Sequence, residues 1–272
     1  MSYESLSIDV HEHVATLTLL GPGKGNAMGP SMWTELKVAF EALDADRDVR
    51  CVLVKGSGKH FTYGLDLMAM MQELGPLIQG PQLARGRLNF LDLCKRMQAG
   101  ITAAEQCRKP VIAAISGWCI GGGVDLISAC DIRICSADAM FSVREVKLGM
   151  TADVGSLQRL PAIIGQGHTR ELAMTGRDFN AKHAEKIGLV NHVHADQDHL
   201  FAAALEMATQ IAKNPPIAVE GTKNVLNYTA DHTTASGLDY VAAWNSAFLQ
   251  SKDLTEAIMA FMERREPVFT GE

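Results

Sequence analysis

Apolar and polar positions along the chain follow two periods, and each period predicts a different element. Apolar residues alternate with polar ones over 6–10 and 15–19, which predicts a hairpin with one buried face. Over 31–43 the apolar positions recur at helical spacing, and an unbroken apolar run follows at 51–54. Strand, helix and strand in succession predict a parallel crossover, and therefore an α/β fold.

The pattern continues on both sides of a central stretch, residues 112–153. Strands are predicted at 111–115 and 132–135, and an amphipathic helix at 88–104. Residues 75–86 contain glycines and prolines and few apolar anchors, which predicts either a cover over a substrate entrance or a passive surface loop. Beyond residue 196 only helical periods occur, at 197–213, 216–228, around 238–248 and at 253–264.

The central stretch contains three consecutive glycines, 121–123, between a predicted strand and a predicted helix. Such a turn lets a ligand approach the main-chain N–H groups, although a tight packing turn needs glycine as well. Asp125 lies just inside the helix, and Glu145 and Asp153 follow among apolar neighbours. An ionised carboxylate in apolar surroundings is costly unless its pKa shifts or it is paired, so the three acids suggest proton chemistry.

Each acid also has a purely structural interpretation. Asp125 could be a carboxylate that favours the helix start, and Glu145 could pair with Arg144 or Lys147. Asp153 could be the N-cap of a helix that runs through residue 160.

Composition narrows the class of protein. A net charge of -6 argues against a nucleic-acid-binding surface. The sequence contains no run of about 18 apolar residues, so it predicts no membrane-spanning helix. The polar amino terminus resembles no secretory or transit signal, so we expect a cytoplasmic protein whose six cysteines are reduced. Neither the cysteine spacing nor the His11–Glu12–His13 triplet fits a metal site, and loop 21–26 lacks the second half of a phosphate-binding loop.

Four segments, 59–67, 121–125, 144–146 and 152–161, resemble the crotonase (enoyl-CoA hydratase/isomerase) superfamily, and most closely its dienoyl-CoA isomerases. The resemblance implies an α/β fold, a crotonase-like spiral of ββα units with a C-terminal all-helical trimerisation region. The implied division places the spiral core at 1–195 and the helical region at 196–272.

The resemblance also implies an oxyanion hole, in which two main-chain N–H groups hold the thioester oxygen. The pair it implies here is Tyr63 and Gly122, although the family usually has a small residue at the first position. The implied substrate and CoA contacts are Tyr63, Gly64, Leu65, Asp66, Leu67 and Gly122.

The reaction implied is conversion of 3,5-dienoyl-CoA to 2,4-dienoyl-CoA in the β-oxidation of unsaturated fatty acids. One carboxylate removes a proton from C2 and another acid delivers one to C6. By match to the family, Glu145 is the base, Asp153 the proton donor and Asp125 a third acid that tunes the others, and the first two roles could be reversed. No metal or redox cofactor is expected, because coenzyme A is part of the substrate.

Two other functions stay open. An enoyl-CoA hydratase uses two glutamates at the positions of Asp125 and Glu145, and usually has a neutral residue at the position of Asp153. A crotonase-fold protein could instead serve as a non-catalytic binding or scaffolding subunit. In either case the resemblance implies a homotrimer or hexamer built by the helical tail, whereas an intramolecular helical cap is the alternative.

Overall fold

The structure, a computed structural model, describes residues 3–79 and 83–272. The strands in those residues are β1 (Leu6–His11), β2 (Val14–Leu19), β3 (Cys51–Gly56), β4 (Val111–Ile115), β5 (Trp118–Ile120), β6 (Ile132–Ser136), β7 (Met140–Ser142), β8 (Phe179–Asn180) and β9 (His192–His194). The helices there are α1 (Pro30–Ala45), α2 (Leu67–Gln79), α3 (Ala84–Gln106), α4 (Gly122–Ser128), α5 (Ser156–Thr175), α6 (Ala181–Lys186), α7 (Gln197–Ala212), α8 (Pro216–Ala230), α9 (Thr234–Phe248) and α10 (Lys252–Glu263).

The larger sheet has the strand order β1-β2-β3-β4-β6-β9, and β5, β7 and β8 form a smaller sheet. The predicted hairpin is confirmed, since β1 and β2 pair antiparallel with Leu6 opposite Leu19. The predicted crossover is confirmed as well, because β2 and β3 pair in parallel with α1 between them in the chain. The remaining pairs of the larger sheet are also parallel, so the chain has the predicted α/β fold.

Both faces of the larger sheet are covered, as parallel sheets require. Alternate strand residues point to opposite faces: Val52 joins the main core, whereas Leu53 faces α7. Every fourth residue of α7 from Leu200 to Ala212 is buried against that second face. The first helix of the 196–272 region therefore packs on the sheet of the 1–195 region, and the boundary between them stays a prediction.

The prediction of a loop over 75–86 is wrong for most of its length. Residues 75–79 belong to α2 and residues 84–86 begin α3, while residues 80–82 lie outside the described residues. Leu74 and Leu77 are partly buried against the core, so this segment has apolar anchors and remains helical around Gly75 and Pro76.

The strand predicted at 111–115 is confirmed as β4, and a second strand, β5, lies between it and the three glycines. After β4 the chain turns and enters the small sheet as β5, which pairs in parallel with β7. The pairing continues past the strand, because the Gly121 N–H donates to the Ser142 carbonyl at 2.9 Å. Residues soon after β7, including Glu145, are thereby brought beside the glycine turn although they lie more than twenty positions along the chain.

A buried lysine anchors α8 to the core. Lys223 is 6% exposed, and its Nζ lies 2.7 Å from the Asp131 carboxylate and donates to the carbonyls of Ala104 and Lys109 at 3.2 and 3.1 Å. The Asp131 side chain is 27% exposed, so the pair is buried mainly on the lysine side, and removing Lys223 would leave the Asp131 charge and two carbonyls without their partner.

We expect Lys223→Met to lower the free energy of unfolding by about 3–5 kcal/mol, measured by urea denaturation. Lys37→Met is the matched control, because the Lys37–Glu41 pair is about half exposed, with side-chain exposures of 49% and 58%. That control should change stability by less than about 1 kcal/mol. Equal effects of the two substitutions would contradict the anchoring role.

Candidate active site

A cavity of about 580 Å³ lies among α2, α3, the glycine turn and the segment 144–154. The predicted site residues that line it are Tyr63, Leu65, Leu67, Gly122, Glu145 and Asp153. Gly64 and Asp66 belong to the same segment but are not among the lining residues. Asp66 instead receives the N–H of Ala69 at 2.9 Å on its Oδ1, and so caps the first turn of α2.

Much of the cavity wall is apolar and comes from residues that the sequence analysis did not assign to a site. They are Trp33 of α1, Phe90, Leu93 and Met97 of α3, Trp118 of β5, and Leu148 and Met150 of the segment after β7. Leu93 and Met97 are four positions apart, so helical spacing alone predicts that they share one face of α3. Spacing alone does not show that this face covers a cavity rather than the core.

Two extended segments run side by side into this cavity. The Thr62 N–H donates to the Trp118 carbonyl at 3.0 Å, and the Ile120 N–H donates to the Thr62 carbonyl at 3.1 Å. One step further along the chain, a Cβ on Gly64 would lie only 2.5 Å from the Ile120 carbonyl oxygen. The positive φ of 77° at Gly64 and this contact both require glycine, and they keep the segment after residue 64 beside Gly122.

The predicted role of Tyr63 as a main-chain donor to the oxyanion is wrong. Its N–H already donates to the Gly25 carbonyl at 2.8 Å. Its ring packs over Gly25 and lies 5.0 Å from the His60 ring, centroid to centroid, so Tyr63 contributes a side-chain wall to the cavity.

Within residues 3–79 and 83–272, the main-chain N–H of Leu65, two residues further along, is free instead. The Gly64 carbonyl and the Asp66 N–H both bond to Met28, at 2.7 and 3.1 Å. Because main-chain groups alternate along an extended segment, the Leu65 N–H points away from Met28, and it has no acceptor among the described residues. Gly122 is the first residue of α4, and its N–H also lacks an acceptor within the described part of the chain.

Glu145 lies against the glycine turn. A Cβ on Gly121 would be 3.0 Å from Glu145 Oε1, and Glu145 Oε2 is buried without a hydrogen-bond partner among the described residues. Burial raises the pKa of Glu145, and the charge of Asp153 raises it further. Arg144 forms its ion pair with Asp178, so the structure does not show the Arg144–Glu145 pair considered from sequence.

Asp153 occupies an irregular segment between Gly149 and α5. Its neighbours Ala152 and Val154 are buried, 7% and 5% exposed, whereas Asp153 is exposed to the cavity. The N-cap of α5 is Gly155, so Asp153 does not cap that helix. Two side chains of α3 contact it: the Cys94 thiol bonds to Oδ2 at 3.5 Å and Gln98 Nε2 donates to the main-chain carbonyl at 2.6 Å.

Asp125 lies behind the cavity rather than in its wall. It is fully buried in the first turn of α4, and its Oδ1 accepts the Ser156 N–H at 2.5 Å. Its Oδ2 has no partner among the described residues. Burial, followed by the charge of Glu145, raises the pKa of Asp125 to about 7. Asp125 and Glu145 are therefore electrostatically coupled, so the proton on one favours ionisation of the other.

No group of three or more metal-ligating side chains that could hold an ion occurs in residues 3–79 and 83–272. The six cysteines are free. None of the described helices is both long and apolar enough to cross a bilayer.

The sequence profile described as enoyl-CoA hydratase/isomerase matches residues 9–272. A protein of Dictyostelium discoideum named mitochondrial Delta(3,5)-Delta(2,4)-dienoyl-CoA isomerase is 46% identical over 94% of this chain and 87% of its own. A peroxisomal protein of Arabidopsis thaliana with the same enzyme name is 44% identical over 98% of both chains. Among solved structures, an enoyl-CoA hydratase from Bacillus anthracis superposes with a TM-score of 0.89 at 31% identity, over 99% of this chain and 100% of its own.

Proposed function

The chain belongs to the enoyl-CoA hydratase/isomerase family, and on that basis we propose that it converts 3,5-dienoyl-CoA to 2,4-dienoyl-CoA. The observation that carries the proposal is the placement of Glu145 and Asp153 on one cavity, beside two main-chain N–H groups that lack acceptors. Two relatives that cover nearly all of this chain bear the name of that isomerase. The reaction belongs to the breakdown of unsaturated fatty acids.

The N–H groups of Leu65 and Gly122 bind the thioester oxygen. Removing a proton from C2 places negative charge on that oxygen, and fixed donors in a cavity with apolar walls stabilise the charge more than water does. Loss of one such donor typically costs about 100- to 1000-fold in rate. The thioester is thereby held with C2 beside the glycine turn.

Two acids are needed because C2 and C6 lie at opposite ends of a rigid diene. Glu145 touches Gly121, next to the oxyanion donor Gly122, so it is the base at C2. Its raised pKa makes it a stronger base than an ordinary carboxylate. Asp153 donates a proton to C6. Each turnover leaves Glu145 protonated and Asp153 ionised, so a proton must return from Glu145 to Asp153, directly or through solvent, before the next turnover.

Asp125 distinguishes this reaction from hydration. A hydratase needs a second carboxylate at that position to act on water, but the shorter Asp125 is enclosed and bonded to the Ser156 N–H. Asp153 supplies the second acid at another point of the cavity. The cavity, the free donors and both acids together also argue against a purely scaffolding role.

We further propose that the substrate brings its own coenzyme A and that the chain assembles into trimers or hexamers through its C-terminal helices. Large apolar side chains are exposed there: Leu226, Leu238, Phe248, Leu249, Ile258, Phe261 and Met262. Burying such side chains between subunits would remove apolar surface from water. A cytoplasmic location remains part of the proposal, whereas the two relatives are named as mitochondrial and peroxisomal.

Purified protein should convert 3,5-octadienoyl-CoA to the 2,4-isomer without added cofactor, seen as growth of the conjugated dienoyl thioester absorbance. In parallel, hydration of crotonyl-CoA should be at least about 100-fold slower than isomerisation, because the cavity has no second carboxylate placed as in a hydratase to activate water. Fast hydration with no isomerisation would identify a hydratase. Inactivity on both substrates, with acyl-CoA binding retained, would favour the scaffolding function.

A further inference from the structure

Asp153 belongs to no helix or strand, so regular main-chain hydrogen bonding does not hold it in place. It lies in the irregular segment between Gly149, with φ of 73°, and Gly155, with φ of 135°. Its buried neighbours Ala152 and Val154 hold the chain on one side, but they do not fix the direction of the carboxylate. A proton donor that must reach C6 requires a more definite position.

Two side chains of α3, one helical turn apart, supply that position. Gln98 Nε2 donates to the Asp153 main-chain carbonyl at 2.6 Å, and the Cys94 thiol bonds to Asp153 Oδ2 at 3.5 Å. Residues four apart share a face of a helix, so one face of α3 holds both the main chain and the carboxylate.

Helix α3 is itself firmly placed. A Cβ on Gly100 would lie 2.4 Å from the Trp33 carbonyl oxygen, so α3 packs closely on α1. At the other side, Arg159 of α5 pairs with Glu105 of α3 at 2.6 Å. The two side chains that contact Asp153 therefore belong to a helix whose position is fixed by α1 on one side and by α5 on the other.

We infer that Cys94 and Gln98 are positioning residues, which hold Asp153 so that Oδ1 faces the acyl chain while Oδ2 rests on the thiol. The inference builds on the proposed isomerase function, but the contacts can be tested without it. Burial and the charge of Asp153 raise the pKa of Cys94 to about 11, so at neutral pH the thiol keeps the proton that it donates.

The charged groups around this contact come from four elements. Glu145 and Asp125 face Asp153 from the glycine turn side, Lys95 lies beside Cys94 on α3, and the Arg159–Glu105 pair lies beside Gly155. Besides burial, the charge of Asp153 raises the pKa of the Cys94 thiol, whereas the charge of Lys95 lowers it.

The first test needs no turnover. Iodoacetamide alkylation of Cys94 in the intact chain, followed by mass spectrometry at pH 8.5, reports how easily this thiol ionises. Asp153→Asn should speed alkylation about threefold, because removing the carboxylate charge lowers the pKa of the thiol and the gain in thiolate outweighs its lower nucleophilicity. Asp9→Asn, an exposed acid on β1, should leave the rate unchanged. Equal rates in all three proteins would overturn the Cys94–Asp153 contact, whether or not the chain is an isomerase.

The second test uses kinetics with 3,5-octadienoyl-CoA. Cys94→Ala should lower kcat about threefold with KM nearly unchanged, whereas Cys94→Ser keeps a donor and restores kcat. Gln98→Leu should lower kcat about tenfold with KM nearly unchanged.

Gln106→Leu is the matched control for Gln98→Leu, because Gln106 is exposed at the end of the same helix. Losses that are equal in Gln98→Leu and Gln106→Leu, or a kcat of Cys94→Ala that Cys94→Ser does not restore, would overturn the positioning role. An inactive wild-type protein would refute the proposed function instead, and the alkylation rates would still decide the contact.

Discussion

Asp153→Asn should lower kcat for dienoyl-CoA isomerisation by about 100- to 10,000-fold, because the amide cannot deliver the proton that C6 requires. Asn has nearly the same shape as Asp, so the Gln98 bond to the main chain and the buried neighbours Ala152 and Val154 are retained. Glu145→Gln should cause a loss of the same order. Asp9→Asn, at an exposed position on β1, is the control and should keep activity within about twofold of wild type.

Deuterium exchange separates the roles of the two acids. In D2O, Asp153→Asn should still exchange the C2 proton of the substrate, since Glu145 and the N–H groups of Leu65 and Gly122 remain. Glu145→Gln should lose that exchange. The opposite result would reverse the assignment of base and donor, and full activity of Asp153→Asn would remove this residue from the mechanism.

The second large effect concerns stability. The pKa of Asp125 is raised to about 7 in the folded protein, whereas an unfolded Asp titrates near 3.8. Between those values the folded state keeps a proton that the unfolded state has lost. The stabilisation is therefore complete below about pH 4, declines as pH rises, and is lost once pH exceeds about 7. The raised pKa of Glu145 acts in the same direction.

Asp125→Asn should abolish most of this decline. The amide oxygen can still accept the Ser156 N–H, and a neutral side chain removes the repulsion between Asp125 and the Glu145 charge. Urea denaturation should show the variant more stable than wild type at pH 8 by on the order of 3 kcal/mol, with a much smaller difference at pH 4. If the free energies of unfolding of wild type and variant differ by the same amount at every pH in this range, Asp125 is not protonated in the folded protein.

Local sequence patterns predicted much of the fold and part of the site. The alternation over 6–19 predicted the β1–β2 hairpin, and helical spacing predicted α1 and the helices of the C-terminal region. These predictions succeeded because burial on one face imposes a period that is visible in a short window. The four segments that resemble crotonases also identified the family, which the sequence comparisons show over residues 9–272.

The prediction of a loop over 75–86 is wrong for residues 75–79 and 84–86, because the local propensities of glycine and proline do not include tertiary packing. Leu74 and Leu77 gain contacts with the core, and those contacts outweigh the weak helix propensity of Gly75 and Pro76.

By itself the sequence determined where the glycine turn lies in the chain, and that three acids follow it at the spacing of the family. Only the tertiary structure decided which amide is free, because the Tyr63 N–H is occupied by Gly25, a residue 38 positions earlier in the chain. It also decided that Asp125 is enclosed behind Glu145 and that Cys94 and Gln98 reach Asp153. Hydrogen bonding and solvation depend on groups brought together from distant segments, so no local pattern in the chain specifies them.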